Sequence, residues 1–116
     1  MRKSLRRRRV AISRARRNHC ARRAALQLLR RRRLRQARHI AVYLSTRSEL
    51  STAILIACLL RQGRKLWAPV TGADARMHFV PLWHGTPLRR SPLGLLQPAH
   101  TRPRRGAARL GLILLP

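Results

Sequence analysis

Apolar positions along this chain fall into short runs cut by polar, glycine or proline stops. Ala21, Ala24, Ala25, Leu28 and Leu29 recur at spacings of three and four, which places them on one stripe of a helix. Ser13 stands ahead of that stripe where a helix N-cap belongs. Before it, Leu5, Val10 and Ile12 are sparse around the unbroken Arg6 to Arg9 run, a pattern that predicts a short, exposed helix. The run Ile40 to Leu44 is short, apolar and β-rich, so it reads as a buried strand opening into the polar stretch Ser45 to Ser48. Ser51 or Thr52 then caps a second amphipathic helix whose core face is Ile54, Leu55, Cys58 and Leu59, and Gly63 ends it in the left-handed conformation. Lys65 to Ala68 forms the next strand, stopped by Pro69.

Strand, helix and strand make a βαβ unit with two parallel strands, and the class is α/β. Met77 to Trp83 is extended but contains Pro81, which marks an edge strand or hairpin. His84 to Pro103 is rich in glycine and proline and reads as irregular. Leu110 to Leu115 is an apolar run read as a central buried strand. The architecture expected is therefore a partial, open, mostly parallel sheet flanked by helices and truncated after a core strand. With 116 residues there is room for one core, so residues 1–116 form a single partial domain, with 1–38 a helical region and 39–116 the α/β part.

Charge changes this picture more than composition does. Hydrophobic residues make up 45% but aromatics only 3%, so the core is built from aliphatic side chains. There are 28 Lys and Arg against 2 Asp and Glu, a formal net charge of +26, and 17 of the 28 lie between Arg2 and Arg38. Self-repulsion on this scale works against any compact state at low salt. Cys20 and Cys58 show no CxxC spacing and read as buried free thiols of a cytoplasmic protein. No run of apolar residues is long enough to cross a membrane. The basic start has the charge of a transit peptide, but only Ser4 and Ser13 supply hydroxyls before the domain begins, which argues against targeting.

Several pieces, taken in order, resemble the 5-formyltetrahydrofolate cyclo-ligase family: Arg9-Val10-Ala11-Ile12-Ser13, Ile40-Ala41-Val42-Tyr43-Leu44-Ser45, Ser48-Glu49-Leu50-Ser51-Thr52, and Gly63-Arg64-Lys65 leading to Pro69-Val70. Met77-His78-Phe79 with Gly94-Leu95-Leu96-Gln97-Pro98 is similar to the family stretch ending Gly-Ile-x-Glu-Pro, and Leu110 to Pro116 to its Leu-Asp-Leu-Val-Leu-Val-Pro strand. Order and spacing together carry the resemblance. It covers nearly the whole chain but about the first two thirds of a family member, and leaves out the family's Gly-rich loop ending in Tyr-Asp, whose backbone N–H groups would cradle phosphates. The chain is therefore expected to be an incomplete ligase with little or no activity alone.

The resemblance implies ATP and Mg2+ as cofactors and 5-formyltetrahydrofolate as substrate, in folate and one-carbon metabolism. It puts Arg2, Lys3 and Arg6 at the ATP phosphates and Leu44 and Glu49 at the folate, and offers no catalytic or metal-ligating residue within this chain. Glu49 is the only glutamate and can accept hydrogen bonds from pterin N–H groups; the plain alternative is charge compensation of the helix that follows. Family acids are replaced by Ser51, Gln97 and Gly111. Asp74, the other acid, reads as a turn former. His78, His84 and Cys58 lack the spacing of a zinc site. The competing function is a small RNA-binding or ribosome-associated protein, for which the arginine clusters speak and the missing aromatic platforms in the basic region speak against base stacking. A further alternative is an acid-depleted relic with no selected role.

Overall fold

A computed structural model describes residues 2–45, 49–71, 76–92 and 94–114, Arg9 by its backbone only. Three helices come first: α1 (Arg2–Ala11), α2 (Arg14–Leu29) and α3 (Arg32–Gln36). They are followed by β1 (His39–Ala41), α4 (Ala53–Arg61), β2 (Lys65–Thr71), β3 (Met77–Leu82), β4 (Leu88–Arg90), β5 (Leu96–Pro98), a 3-10 turn at Ala107–Arg109, and β6 (Leu112–Ile113). The main sheet has the order β3-β2-β1-β6, with β1 parallel to β2 and β6, and β3 antiparallel to β2. The βαβ unit is therefore present as β1-α4-β2, in a mixed α/β fold with a mostly parallel sheet.

Local signals explain the helix ends. The Ser13 hydroxyl accepts a hydrogen bond from the Arg16 N–H at 3.2 Å and so caps α2. At the other end of α4, Gly63 has φ 73, its N–H donates to the Leu60 carbonyl, and the Arg64 N–H donates to that of Leu59. This is a Schellman ending, which needs a left-handed residue at that place. Arg64 then turns its guanidinium onto the Leu34 and Ala37 carbonyls and ties the end of α3 to the loop before β2. The five-residue α3 had no counterpart in the sequence reading.

Alternation along the strands divides the core in two. Ile40, Val42, Leu66 and Ala68 face α2 and α4, meeting Ala25, Leu55 and Leu59. Each such aliphatic side chain, once fully buried, contributes about 1.5–3 kcal/mol. Ala41, Trp67 and Phe79 face the other way. There the Trp67 indole N–H donates to His39 Nδ1 at 3.1 Å and the Arg105 guanidinium lies 4.8 Å above the Trp67 ring. His39 titrates below the usual imidazole range, through burial first and then the positive charges of Arg105, Lys65 and Arg38.

Four strand expectations need correction. Pro69 does not stop β2, which runs on to Thr71, because Pro69 opposes Phe79 at a non-hydrogen-bonded position: both main-chain groups of Phe79 bond outward to Arg105. The proline acts on the other neighbour. The Val42 N–H reaches the Trp67 carbonyl at 2.9 Å, and the next parallel rung would require an N–H at position 69, where none exists. The first strand accordingly ends at Ala41 instead of Leu44. The segment expected to be irregular contains the β4–β5 hairpin, paired from Leu88↔Pro98 to Arg90↔Leu96. Met77–Leu82 is the sheet edge, as its proline implied, and the Pro81 carbonyl takes a bond from the His100 ring at 2.9 Å.

The segment read as a central strand takes the outer position beside β1 among the described strands. Leu112 and Leu114 touch the larger core, and Leu110 and Ile113 the smaller. Cys20 is exposed on α2, contrary to the expectation of a buried thiol, because it lies off the stripe formed by Ala21 and Ala25; Cys58 is half-buried. Ser48, Asp74, Leu115 and Pro116 lie outside the described residues. No helix among the described residues is long and apolar enough to cross a membrane.

Candidate ligand cavity at the end of the first strand

Where β1 opens into its loop, the chain turns back through Glu49 to Thr52 to start α4. The Thr52 hydroxyl donates to the Tyr43 carbonyl at 2.9 Å, and the Thr52 N–H donates to the Ser45 hydroxyl at 3.4 Å. Thr52 makes no capping bond with its side chain; the Ser51 hydroxyl instead accepts from the Ala53 N–H at 3.3 Å. The Tyr43 hydroxyl donates to the Leu50 carbonyl at 3.1 Å. Strand end, loop and helix start are thus joined at three levels.

Beside this loop is a cavity of about 420 Å³. Tyr43, Glu49, Leu50, Ser51 and Thr52 form one wall, Leu55 of α4 and Leu114 the back, and Ala21, Ala24, Ala25 and Leu28 of α2 the facing wall. The alanines are what leave room, since larger side chains on this stripe would fill the gap against α4. Among the described residues no Lys or Arg lines it, in a chain with 28 of them. Burial, and then the charge of Glu49, push the Tyr43 phenol above its ordinary value, so it stays protonated and acts as a donor. The position, outside the carboxyl end of a parallel strand, is where open α/β sheets hold ligands.

The other residues singled out from sequence are placed as follows. Leu44 packs against the larger core, and Tyr43 is the neighbour that lines the cavity. Arg2, Lys3 and Arg6 lie on α1 and are exposed; Lys3 and Arg6 border a shallow groove with Arg7, Val10 and Ala11, and none of the three lines the Glu49 cavity. Gln97 is buried, its side-chain oxygen accepting from the Thr71 N–H at 3.3 Å. Among the described residues no three His, Cys, Asp or Glu come together as a metal site. Tyr43, Thr52 and the α2 alanines were missed as cavity residues. The signal was the small size of three residues on a stripe otherwise read as core.

Among curated proteins none matches the chain. The solution NMR structure of the 5,10-methenyltetrahydrofolate synthetase of Aquifex aeolicus is similar in fold, with a TM-score of 0.81 at 16% identity, covering 97% of this chain and 56% of that one. This chain therefore spans a little over half the length of that synthetase. The model of the 5-formyltetrahydrofolate cyclo-ligase family matches residues 1–116. The chain belongs to the 5-formyltetrahydrofolate cyclo-ligase family.

Proposed function

We propose that this chain is part of an ATP-dependent ligase that converts 5-formyltetrahydrofolate to 5,10-methenyltetrahydrofolate in the cytoplasm, and that it contributes the folate-binding half of the site. The observation that carries the reading is Glu49 in the wall of a cavity beside the end of the first strand, which no Lys or Arg among the described residues lines, in a chain of net charge +26. A neutral-to-acidic pocket in such a chain suits a pterin, whose amino and ring N–H groups donate to a carboxylate. The apolar alanines of α2 and Leu55 fit the flat ring faces, while Ser51 and Thr52 border the same wall. Leu44 supports the strand end from beneath, through the core.

ATP as second substrate would phosphorylate the formyl oxygen; N10 would then attack the formyl carbon and lose its proton, and the C–O bond of that carbon would break to release phosphate as the ring closes. Arg2, Lys3 and Arg6 on α1 have the charge such phosphates need. Magnesium has no matching carboxylate cluster among the described residues, and no step is assigned to it. The chain alone is expected to bind folate without turning it over.

Calorimetric titration of this chain with 5-formyltetrahydrofolate tests the reading. Glu49→Gln keeps the shape but loses the charge-assisted bonds, about 1.5–3 kcal/mol, which weakens binding roughly 10- to 150-fold. Equal affinity of parent and Glu49→Gln, with both folded by circular dichroism, would remove Glu49 from the site.

A further inference from the structure

Helix α2 presents two unlike faces. Its inner face holds Ala21 and Ala25 against α4; its outer face carries Arg16, Arg22, Arg23 and Arg30, all exposed. Arg16, Arg23 and Arg30 follow one another every seven residues, nearly two full turns, so they form a row with steps of about 10 Å along the axis. Arg31, Arg32, Arg33 and Arg35, all exposed, follow at the start of and along α3, and α1 adds further exposed cations ahead of α2. The other 78 residues after Arg38 hold only 11 of the 28 basic residues, so the charge is concentrated in the three N-terminal helices.

We propose that the outer surface of α1 to α3 binds the phosphate backbone of duplex nucleic acid, independently of base sequence. Arginine rows that neutralise phosphates release counterions, and the gain needs no base contact. Stacking on single strands needs aromatic platforms, and Tyr43, Trp67, Phe79 and Trp83 all belong to the sheet region and not to these helices. Insertion into an anionic membrane needs an apolar face beside the charges. The large apolar side chains exposed on these helices are Leu5 and Val10, five residues and so about 140° apart around α1, and Leu26 on α2, which together make no continuous apolar face. The complementary partner is thus a polyanion with charges spaced along a groove.

The test is fluorescence anisotropy of this chain with a labelled duplex of about 20 base pairs, made as DNA and as RNA, over a salt series. The triple variant Arg16→Gln, Arg23→Gln, Arg30→Gln should flatten the slope of log K against log salt by about 2.7, at about 0.9 per phosphate contact. Between 50 and 200 mM salt the variant then loses roughly 40-fold less affinity than the parent. A control, Arg89→Gln, Arg90→Gln and Arg104→Gln, should change the slope by much less. Equal loss in the control overturns the proposal, because binding would then reflect net charge alone. Tighter binding to vesicles of anionic lipid, or to a single strand of the same length, overturns it as well. Titration of the triple variant with 5-formyltetrahydrofolate keeps this outcome separate from the fate of the folate reading, since these three side chains line no part of the cavity.

Discussion

Thr52 joins the end of β1 to the start of α4, and replacing it by valine tests that join. Its residue is 6% exposed, and its hydroxyl donates to the Tyr43 carbonyl at 2.9 Å. Thr52→Val keeps the volume and removes the donor, leaving a half-buried carbonyl without it, a cost of about 1–2 kcal/mol. No capping bond is lost, because the Thr52 side chain makes none. Thr52→Ser makes the opposite trade: it keeps the hydroxyl and loses one methyl, worth about 0.8 kcal/mol. Urea unfolding followed by tryptophan fluorescence should order the proteins parent, Thr52→Ser, Thr52→Val. At a slope of about 2 kcal/mol per molar urea, the valine midpoint falls by roughly 0.5–1 M. If Thr52→Val unfolds within about 0.3 kcal/mol of the parent while Thr52→Ser is the weaker protein, burial of the methyl and not the hydrogen bond holds the loop, and the argument fails.

Tyr43 is the only tyrosine, so phenolate absorbance reports it alone. Glu49→Gln removes the smaller of the two causes that raise it, and the titration should move down toward 10 but stay above it, since burial remains. Because the folded value exceeds the unfolded one, this contribution to stability is complete below pH ~10 and is lost as pH rises through the folded value; no downward shift in the variant means Glu49 is not beside the phenol. Gly63→Ala should cost about 1–2 kcal/mol in the same urea assay, from the left-handed backbone and not from a clash, as a Cβ there meets no atom within 4 Å; Gly63→Asn should cost less. A Gly63→Ala protein as stable as the parent would show that the turn relaxes.

Elements written in local chemistry were legible from the sequence. Ser13 with the alanine stripe, the α4 face of Leu55 and Leu59, and Gly63 each depend on residues within one or two turns. What a rule leaves to the neighbours was not legible. Proline removes an N–H, but whether this breaks a strand depends on which side of the ladder that N–H would have faced, and at Pro69 it faced the short β1 and not β3. The hairpin strands β4 and β5 are three residues each, and β4 is exposed throughout, so no alternation marks them. At the cavity, Glu49 stood out as the only glutamate at a strand end. Tyr43 did not, because the reading extended the strand to Leu44, and the side toward which each residue turns is decided where the ladder stops.

The two faces of α2 let one chain carry the proposed folate pocket on one side of the helix and a row of arginines on the other. A helix with its side chains is about 10–12 Å across, and the Debye length at physiological salt is about 8 Å. Arginines that extend outward from Arg16, Arg23 and Arg30 into water are separated from Glu49 by the helix itself and by roughly one screening length or more. Their field at the pocket is weak, while at their own surface it remains strong enough to gather a polyanion. The alanines serve both ends: they let α2 approach α4 closely enough to form a wall, and they leave only small apolar side chains at their own positions on it. Lys or Arg at Ala21, Ala24 or Ala25 would place a long cationic side chain inside the cavity and close the room left for a ring.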